Sequence, residues 1–273
     1  MNTATWSGRT VIVTGATKGI GRATAELFGR AGAHVVVHGR SAADAEEVRS
    51  CIVSEGGQAI VVLADMRRPE SADAIVDEAI RATGRLDVLV NNAGANIFAG
   101  VEACTFEQWD DCLNLDLRAV WLSSRSAARR MDQGSSIVNV SSNHAAATMV
   151  GVFPYNVAKA GVNALTQSLA IEFAPLGIRV NAVVPGYIDT PINVEYFATF
   201  VDPAAARLAA EALHPLGRLG AANEVAHAIV FLADQRLSGF TTGTHLTIDG
   251  GRSALLQDST TRARSAHDDN RST

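Results

Sequence analysis

Short runs of β-branched residues alternate along this chain with longer amphipathic stretches. The runs lie at residues 10–13, 34–37, 58–63, 86–90, 136–140, 179–184 and 245–248. Strands that are separated by helices usually pair in parallel, with helices covering both faces of the sheet. The alternation therefore predicts an α/β fold with one doubly wound, seven-stranded parallel sheet. We assign residues 1–252 to this single domain, since folds of this kind often keep one core at such lengths.

Two segments depart from the alternation. Residues 191–215 are a helix-prone insertion after the sixth predicted strand, and residues 253–273 are mostly polar. Ligands bind beyond the carboxyl ends of the strands in such sheets. We therefore expect the insertion to cover the substrate as a lid, and we expect the C-terminal tail to be disordered.

Composition limits the partners of the chain. Hydrophobic residues make up 47% of it and its formal net charge is −5, which disfavours nucleic acid or an anionic membrane and favours a small molecule. The three cysteines, Cys51, Cys104 and Cys112, form no CxxC pair, so neither a disulfide framework nor a metal site is indicated. No apolar run reaches about 18 residues, and the N-terminus lacks a basic region followed by an apolar one, so we expect a cytoplasmic protein.

A glycine-rich turn follows the first predicted strand. It reads Thr14-Gly15-Ala16-Thr17-Lys18-Gly19-Ile20-Gly21. Glycines at a junction between strand and helix allow the backbone to approach a pyrophosphate, whose charge then meets the helix N-terminus. The spacing is GxxxGxG rather than GxGxxG, and glycine turns that bind no phosphate are common. The place of this turn in an alternating chain nevertheless favours a dinucleotide.

The end of the second predicted strand indicates which dinucleotide is bound. The sequence there is His38-Gly39-Arg40-Ser41, and it lacks the acidic residue that holds a ribose 2′-hydroxyl in NAD enzymes. Arg40 can instead bind a 2′-phosphate, and Lys18 in the glycine turn can add a second positive charge. We therefore expect NADP(H) as the cofactor. The alternative is that both residues are solvated surface cations.

Tyr155 and Lys159 are the strongest candidates for catalysis. A spacing of four residues places both side chains on one face of a helix. A free phenol has a pKa of about 10, and a fixed cation beside it favours the phenolate and moves that pKa toward a catalytic range. With Ser142 upstream, the pattern predicts proton transfer to or from an oxygen.

Together these features resemble the classical short-chain dehydrogenase/reductase family, from about Gly8 to Gly251. The motifs in family order are the glycine turn, Asp65, Asn91-Asn92-Ala93-Gly94, Asn114, Ser142, Tyr155-Asn156-Val157-Ala158-Lys159, Pro185-Gly186-Tyr187-Ile188-Asp189-Thr190 and Asp249-Gly250-Gly251. The segment Pro215-Leu216-Gly217-Arg218-Leu219-Gly220 is similar to the 3-oxoacyl-carrier-protein reductase branch. The resemblance implies a Rossmann-type fold.

The resemblance also implies four catalytic residues. Tyr155 would be the general acid in reduction and the general base in oxidation, and Lys159 would lower its pKa and bind the nicotinamide ribose. Ser142 would hydrogen-bond the substrate oxygen. We prefer it to Ser141, which alternates to the other side of the emerging strand. Asn114 would hold a water that connects the lysine to solvent, unless it is a helix-capping or buried amide.

The implied contacts of the cofactor and of the substrate follow the same motifs. The cofactor residues would be Gly15, Thr17, Lys18, Gly19, Ile20, Gly21, Arg40, Asp65, Met66, Asn91, Ala93, Gly94, Tyr155, Lys159, Pro185, Gly186, Ile188 and Thr190. Asp65 and Met66 would contact the adenine. The substrate residues would be Asn96, His144, Phe153 and Tyr187. His144 is alternatively a loop histidine exposed to solvent.

The expected activity is hydride transfer between NADP(H) and a carbonyl or alcohol carbon, with ketone reduction as the cellular direction. The alternatives are an NAD-linked dehydrogenase, a cofactor-dependent epimerase or dehydratase, and a regulator that binds NADP without turnover. Arg40 argues against the first and the short substrate segment against the second, while a regulator would not need all four catalytic residues. Because the family is commonly tetrameric, the resemblance implies a homotetramer or a homodimer, packed through the helices near Thr105 and Tyr155.

Overall fold

The central sheet of the protein has seven parallel strands. The computed structural model describes residues 6–255. The strands are β1 (Thr10–Val13), β2 (His34–Gly39), β3 (Gln58–Leu63), β4 (Val88–Asn91), β5 (Ser136–Val140), β6 (Arg179–Pro185) and β7 (His245–Ile248). Each predicted strand is present, within two residues of its predicted bounds.

The strand order places a ligand crevice at the centre of the sheet. The order is β3-β2-β1-β4-β5-β6-β7, and all neighbours are parallel. Val11 of β1 pairs with Val35 on β2 and with Val88 on β4, so the direction of winding reverses at β1. Ligands bind at such a reversal, outside the carboxyl ends of the strands. The predicted doubly wound, Rossmann-type α/β fold is confirmed.

Helices cover both faces of the sheet. They are α1 (Gly19–Arg30), α2 (Ala42–Ser54), α3 (Glu70–Thr83), α4 (Phe106–Leu113), α5 (Ala119–Ala128), α6 (Tyr155–Phe173), α7 (Pro191–Phe197), α8 (Pro203–Ala212), α9 (Ala222–Ala233) and α10 (Gln235–Ser238). Phe28 of α1 and Ile229 of α9 are buried against one face. Ile75 of α3 and Leu169 of α6 are buried against the other. Burial on both faces explains why the strands read as continuous apolar runs.

The insertion at residues 191–215 contains α7 and α8. Phe197, Ala210 and Leu219 form a small buried cluster there, separate from the two main cores. Two short parallel strands, Ile188–Asp189 and Gly220–Ala221, pair at its base. Side chains of α7 line the cleft described below, which is where the lid was expected. That the segment opens and closes stays a prediction.

The chain after β7 turns back toward the cleft. A short 3₁₀ turn, Arg252–Ala254, follows the glycines of the last motif. The tail predicted to be disordered is residues 253–273: Ser253 and Ala254 belong to this turn, and residues 256–273 lie outside the described residues. Within residues 6–255, no helix combines the length and the hydropathy needed to cross a membrane.

Candidate active site

A cleft of about 880 Å³ lies at the carboxyl ends of the strands. Most of the predicted site residues line it: Gly15, Thr17, Lys18, Gly19, Ile20, Arg40, Asp65, Met66, Ala93, Gly94, Asn96, Ser142, His144, Tyr155, Lys159, Pro185, Gly186, Tyr187, Ile188 and Thr190. Four predicted residues lie outside its lining: Gly21, Asn91, Asn114 and Phe153. The structure therefore brings together most of the predicted cofactor and catalytic residues, and the positions of the other four are described below.

The glycine turn presents backbone N–H groups to the cleft. Gly15 and Gly19 have φ angles of 63° and 53°, in the left-handed region that favours glycine. No side chain caps the N-terminus of α1, so its first N–H groups remain available to an anion. A Cβ atom at Gly21 would lie 2.2 Å from the carbonyl oxygen of Gly15. Gly21 therefore allows the helix to approach the turn, instead of contacting a ligand itself.

A buried histidine ties this turn to the sheet. The Gly15 N–H donates to Nδ1 of His38 at 3.1 Å, and Nε2 of His38 lies 3.1 Å from the carbonyl oxygen of Ala64. We assign the tautomer with its proton on Nε2, because this satisfies both contacts. Burial lowers the pKa of His38, which keeps the ring neutral. This role was not predicted from the sequence, where the only sign of it is a polar residue inside an apolar strand.

Arg40 stands at the end of β2, near Asp65 at the end of β3. The backbone N–H of Arg67 donates to Asp65, and this bond, with the charges of Arg67 and Arg40, lowers the pKa of Asp65 against the opposing effect of burial. Lys18 forms an ion pair with Asp44 at 3.4 Å, with both side chains largely exposed. Among residues 6–255, no carboxylate oxygen lies within 4.0 Å of the Arg40 guanidinium. Arg40 is thus free to bind an anion, whereas Lys18 has a nearby competitor.

The three central catalytic candidates meet at the other end of the cleft. Nζ of Lys159 lies 5.4 Å from the ring centroid of Tyr155 and donates to the carbonyl oxygen of Val140 at 3.2 Å. Ser142 lines the same cleft as Tyr155, and hydrogen bonding by its hydroxyl favours a lower pKa of Tyr155. Ser141 instead donates to the carbonyl oxygen of Lys159 at 3.2 Å. The geometry therefore agrees with the choice of Ser142 over Ser141.

Burial and neighbouring charges determine the protonation states of Tyr155 and Lys159. It raises the pKa of Tyr155, and Lys159 and Ser142 oppose that shift without reversing it. Burial alone would lower the pKa of Lys159, but the Asp116 carboxylate and Tyr155 raise it above its ordinary value. Lys159 thus acts on the phenol in the predicted direction, but burial outweighs it. Near neutral pH the site holds a protonated phenol beside an ammonium, which suits proton donation.

The ionic partner of Lys159 is Asp116, which the sequence analysis did not identify. Oδ1 of Asp116 lies 3.0 Å from Nζ of Lys159, and both side chains are buried. Oδ2 of Asp116 accepts from the Ala95 N–H at 3.3 Å. A Cβ atom at Gly94 would lie 2.5 Å from Oδ1 of Asp116, so glycine is needed beside the pair. Burial raises the pKa of Asp116, and Lys159 opposes this shift.

A π-helical turn explains why Asp116, and not Asn114, reaches the lysine. Asn114–Arg118 forms this turn between α4 and α5, and such bulges are frequent at functional sites. Helical residues two positions apart face roughly opposite directions. The predicted Asn114 therefore lies outside the cleft while Asp116 lines it. An acidic residue on an otherwise apolar helical face was the signal in the sequence.

The side chains of Asn91 and Phe153 also lie outside the lining of the cleft. Asn91 is buried, and its amide donates to Oγ of Ser124 at 3.0 Å and to Oδ1 of Asn139 at 2.9 Å. Its side chain therefore connects elements beneath the cleft and does not line it. The Phe153 ring packs against Trp109, with 5.4 Å between ring centroids, which turns it away from the cleft.

Aromatic side chains surround the Tyr155 end of the cleft. The ring of Phe98 packs edge-on against Tyr155 at 5.4 Å between centroids and against Tyr196 at 5.7 Å. Tyr187, predicted as a substrate residue, adds a further ring to this wall. Phe98 and Tyr196 were missed, because neither lies within a motif. This end of the cleft is thus bordered by broad, flat apolar surfaces.

Two polar residues complete this end of the cleft. The His144 ring lies 6.3 Å from that of Tyr155, measured between centroids. Burial, and to a lesser extent the charge of Arg252, lowers the pKa of His144 to about 4. His144 is therefore a neutral hydrogen-bonding group near neutral pH and not an exposed loop histidine. Arg252, which the sequence analysis placed at the edge of the tail, also lines the cleft.

Known proteins are similar in sequence to this chain over most of its length. A family profile described as enoyl-(acyl carrier protein) reductase matches residues 15–253. The chain is 41% identical over 250 residues to a 3β-hydroxysteroid dehydrogenase of Eggerthella lenta, which covers 89% of this chain and 93% of that protein. It is also 41% identical over 250 residues to the cis-4-hydroxycyclohexanecarboxylate dehydrogenase of Sinomonas cyclohexanicum, over 90% of this chain and 97% of that protein.

Solved structures share the fold. The aldohexose dehydrogenase of Thermoplasma acidophilum superposes with a TM-score of 0.85 at 31% identity, over 95% of this chain and 99% of that one. A dehydrogenase/reductase from Sinorhizobium meliloti gives a TM-score of 0.84 at 34% identity, over 92% and 98%. Dehydrogenases of this kind use a nicotinamide cofactor, which the uncapped α1 and the glycine turn fit. On these grounds the chain belongs to the classical short-chain dehydrogenase/reductase family of oxidoreductases.

Proposed function

We propose that the protein is an NADP(H)-dependent oxidoreductase that interconverts a ketone and a secondary alcohol. The observation that carries this proposal is the grouping of Ser142, Tyr155 and Lys159 in the same cleft as the glycine turn and Arg40. A bound nicotinamide would supply or accept the hydride. The protein's own residues would orient the substrate and move the proton.

Tyr155 would deliver the proton during reduction. Its phenol is protonated near neutral pH, so its Oη can donate to the carbonyl oxygen as negative charge develops there. Lys159 would stabilise the phenolate that results, because its ammonium lies beside the ring and opposite charges favour each other's ionised forms. Ser142 would donate a hydrogen bond to the same substrate oxygen. Oxidation of the alcohol would use the same groups in reverse.

Asp116 would act as a positioning residue for Lys159. A buried ammonium without an anion loses its charge readily, because burial penalises the ionised form. The ion pair of 3.0 Å with Asp116 opposes that loss and fixes Nζ in place. That Asn114 holds a water connecting Lys159 to solvent stays a separate prediction.

Arg40 supports NADP(H) rather than NAD(H). It follows β2, where NAD enzymes place an acid, and it is exposed and free of ion pairs within residues 6–255. A guanidinium binds phosphate through two parallel hydrogen bonds. Lys18 would add a weaker contact, since it must exchange the exposed partner Asp44 for the phosphate.

The substrate end of the cleft supports a cyclic ketone or secondary alcohol. Phe98, Tyr187 and Tyr196 provide flat apolar walls, which suit a rigid ring. Two relatives are named for ring-borne alcohols, one a 3β-hydroxysteroid and the other a hydroxycyclohexanecarboxylate.

The expected homotetramer or homodimer stays a prediction. Its support is an exposed apolar side chain on each of α4, α5 and α6: Phe106, Trp121 and Ile171 are 92%, 43% and 76% exposed. Exposed apolar side chains mark a protein contact where they form one contiguous patch. We expect sedimentation velocity at micromolar concentration to give a dimer or a tetramer, and a monomer under those conditions would contradict the prediction.

Replacement of Tyr155 by Phe tests the proposed proton transfer. The variant keeps the ring and its packing but loses the transferable proton, so we expect kcat to fall by about 10²- to 10⁴-fold. NADPH affinity, measured by fluorescence titration, should change little. Tyr196→Phe is the matched control, because it removes a phenol hydroxyl from the same cleft and should keep most of the activity. Full turnover by Tyr155→Phe would rule out the assigned role.

Replacement of Arg40 by Asp tests the cofactor preference. The change removes the proposed phosphate ligand and installs an acid at the end of β2, so the ratio of kcat/KM for NADPH to that for NADH should fall by about tenfold or more. Arg129→Asp carries the same change of charge on an exposed side chain outside the cleft and should leave the ratio unaltered. An unchanged ratio in the Arg40 variant would show that this residue does not bind the phosphate.

A further inference from the structure

The cations that line the cleft differ in whether they have an ionic partner. Lys18 pairs with Asp44, Arg67 with Asp65 and Lys159 with Asp116. Within residues 6–255, Arg40 and Arg252 line the cleft without a carboxylate oxygen within 4.0 Å. A 2′-phosphate would account for Arg40. Arg252 stands at the substrate end, and the proposed reaction gives it no role.

The backbone around Arg252 is held in place. Asp249 accepts from the Gly251 N–H at 3.0 Å and from the Ser253 N–H at 2.7 Å. The Arg252 N–H donates to the carbonyl oxygen of Asp249 at 3.1 Å. These bonds fix the start of the 3₁₀ turn that carries the arginine. The residue is therefore presented by a defined backbone and not by a free chain end.

The Arg252 side chain is stacked on an aromatic ring, and its N–H groups have no hydrogen-bond partner among the described residues. Its guanidinium carbon lies 4.8 Å from the ring centroid of Tyr187, a cation–π contact that occupies one face of the group. Stacking leaves the N–H groups at the edge of the guanidinium available, and no hydrogen bond from them to another described residue is observed. A planar fork of this kind matches a carboxylate through two parallel hydrogen bonds.

The surroundings of Arg252 favour an anion within the cleft. His144 is close to both Arg252 and Tyr155: the arginine's charge lowers its pKa, and its ring is 6.3 Å from that of the tyrosine. With its pKa lowered to about 4, His144 adds no charge of its own near neutral pH. Glu195 on α7 also lines the cleft, but it is exposed and forms no ion pair with Arg252.

We propose that Arg252 binds a carboxylate of the substrate, so that the protein acts on cyclic keto acids and hydroxy acids. The carbonyl or alcohol carbon would lie at Tyr155, and the ring of the substrate would lie along Phe98, Tyr187 and Tyr196. This proposal rests on the proposed function, which it deepens by naming a second functional group on the substrate. Arg252 would be a specificity-determining residue that contacts the substrate remote from the reacting carbon.

The test compares matched pairs of ketones that differ only in the remote charge. The probes are 4-oxocyclohexanecarboxylate and a 3-oxo steroid with a carboxylate on its side chain, each beside its neutral carboxamide, with NADPH and the full chain. For at least one pair, we expect kcat/KM to favour the carboxylate by about tenfold or more, mainly through KM. Arg252→Gln should abolish this preference, with a much larger loss of kcat/KM for the carboxylate than for the carboxamide, and Arg252→Lys should restore part of it. Arg129→Gln removes an exposed arginine outside the cleft and should preserve the preference.

Two results would overturn the proposal. One is equal turnover of carboxylate and carboxamide by the unaltered protein for both pairs. The other is an equal loss for both members of a pair in Arg252→Gln, which would indicate a structural role for the 3₁₀ turn. Either result would leave the proposed function intact, because the ketones would still be reduced.

A binding measurement separates this proposal from the proposed function. Cyclohexanecarboxylate and the corresponding steroid acid without the 3-oxo group cannot be reduced, and calorimetry measures their binding to the NADPH complex directly. One outcome is that no ketone is turned over, but one of these carboxylates binds and Arg252→Gln weakens that binding by about tenfold or more. This outcome would support the carboxylate site and contradict the assigned reaction. If neither carboxylate binds and no ketone is reduced, both proposals fall.

Discussion

The buried ion pair between Lys159 and Asp116 is the interaction on which the active site depends. Two charges are removed from water at the base of the cleft, and either one alone would be costly, since breaking a buried pair typically destabilises a protein by about 3–5 kcal/mol. Several unusual local features serve this pair. A π-helical turn presents Asp116, the absence of a side chain at Gly94 makes room for it, and the Val140 carbonyl oxygen accepts from Lys159. A charged ammonium is thereby fixed beside a buried phenol.

The two ends of the cleft are suited to different ligands. At the β2 end, an uncapped helix, the glycine turn and Arg40 offer donors and positive charge to a phosphorylated cofactor. At the α6 end, aromatic rings and the stacked Arg252 offer an apolar surface bounded by one cation. Because the direction of winding reverses between the neighbouring strands β1 and β4, both ends open onto one crevice. The proposed hydride donor and the proposed cyclic ketone would therefore meet at Tyr155.

Most of the fold and the centre of the site could be predicted from the sequence, because both follow from local periodicity. Strands buried on both faces are continuous apolar runs, and a spacing of four residues on a helix brings Tyr155 and Lys159 together. The residues whose positions differ from the prediction depend on features that leave no regular spacing in the sequence. The π-helical turn shifts the helical register, so Asp116 lies beside the lysine and Asn114 lies outside the lining of the cleft. Phe153 turns to Trp109, and Arg252 reaches the cleft only because the chain folds back after β7.

The transfer of hydride itself is the most direct test of this account. The protein is incubated with NADPH that carries deuterium at both C4 positions and with a cyclic ketone from the panel above, and the alcohol is analysed by mass spectrometry. We predict that the alcohol gains one deuterium, located on the carbinol carbon, for each NADPH that is oxidised. NADPH that binds but is not oxidised in the presence of any of these ketones, or an alcohol formed without deuterium on that carbon, would contradict the account.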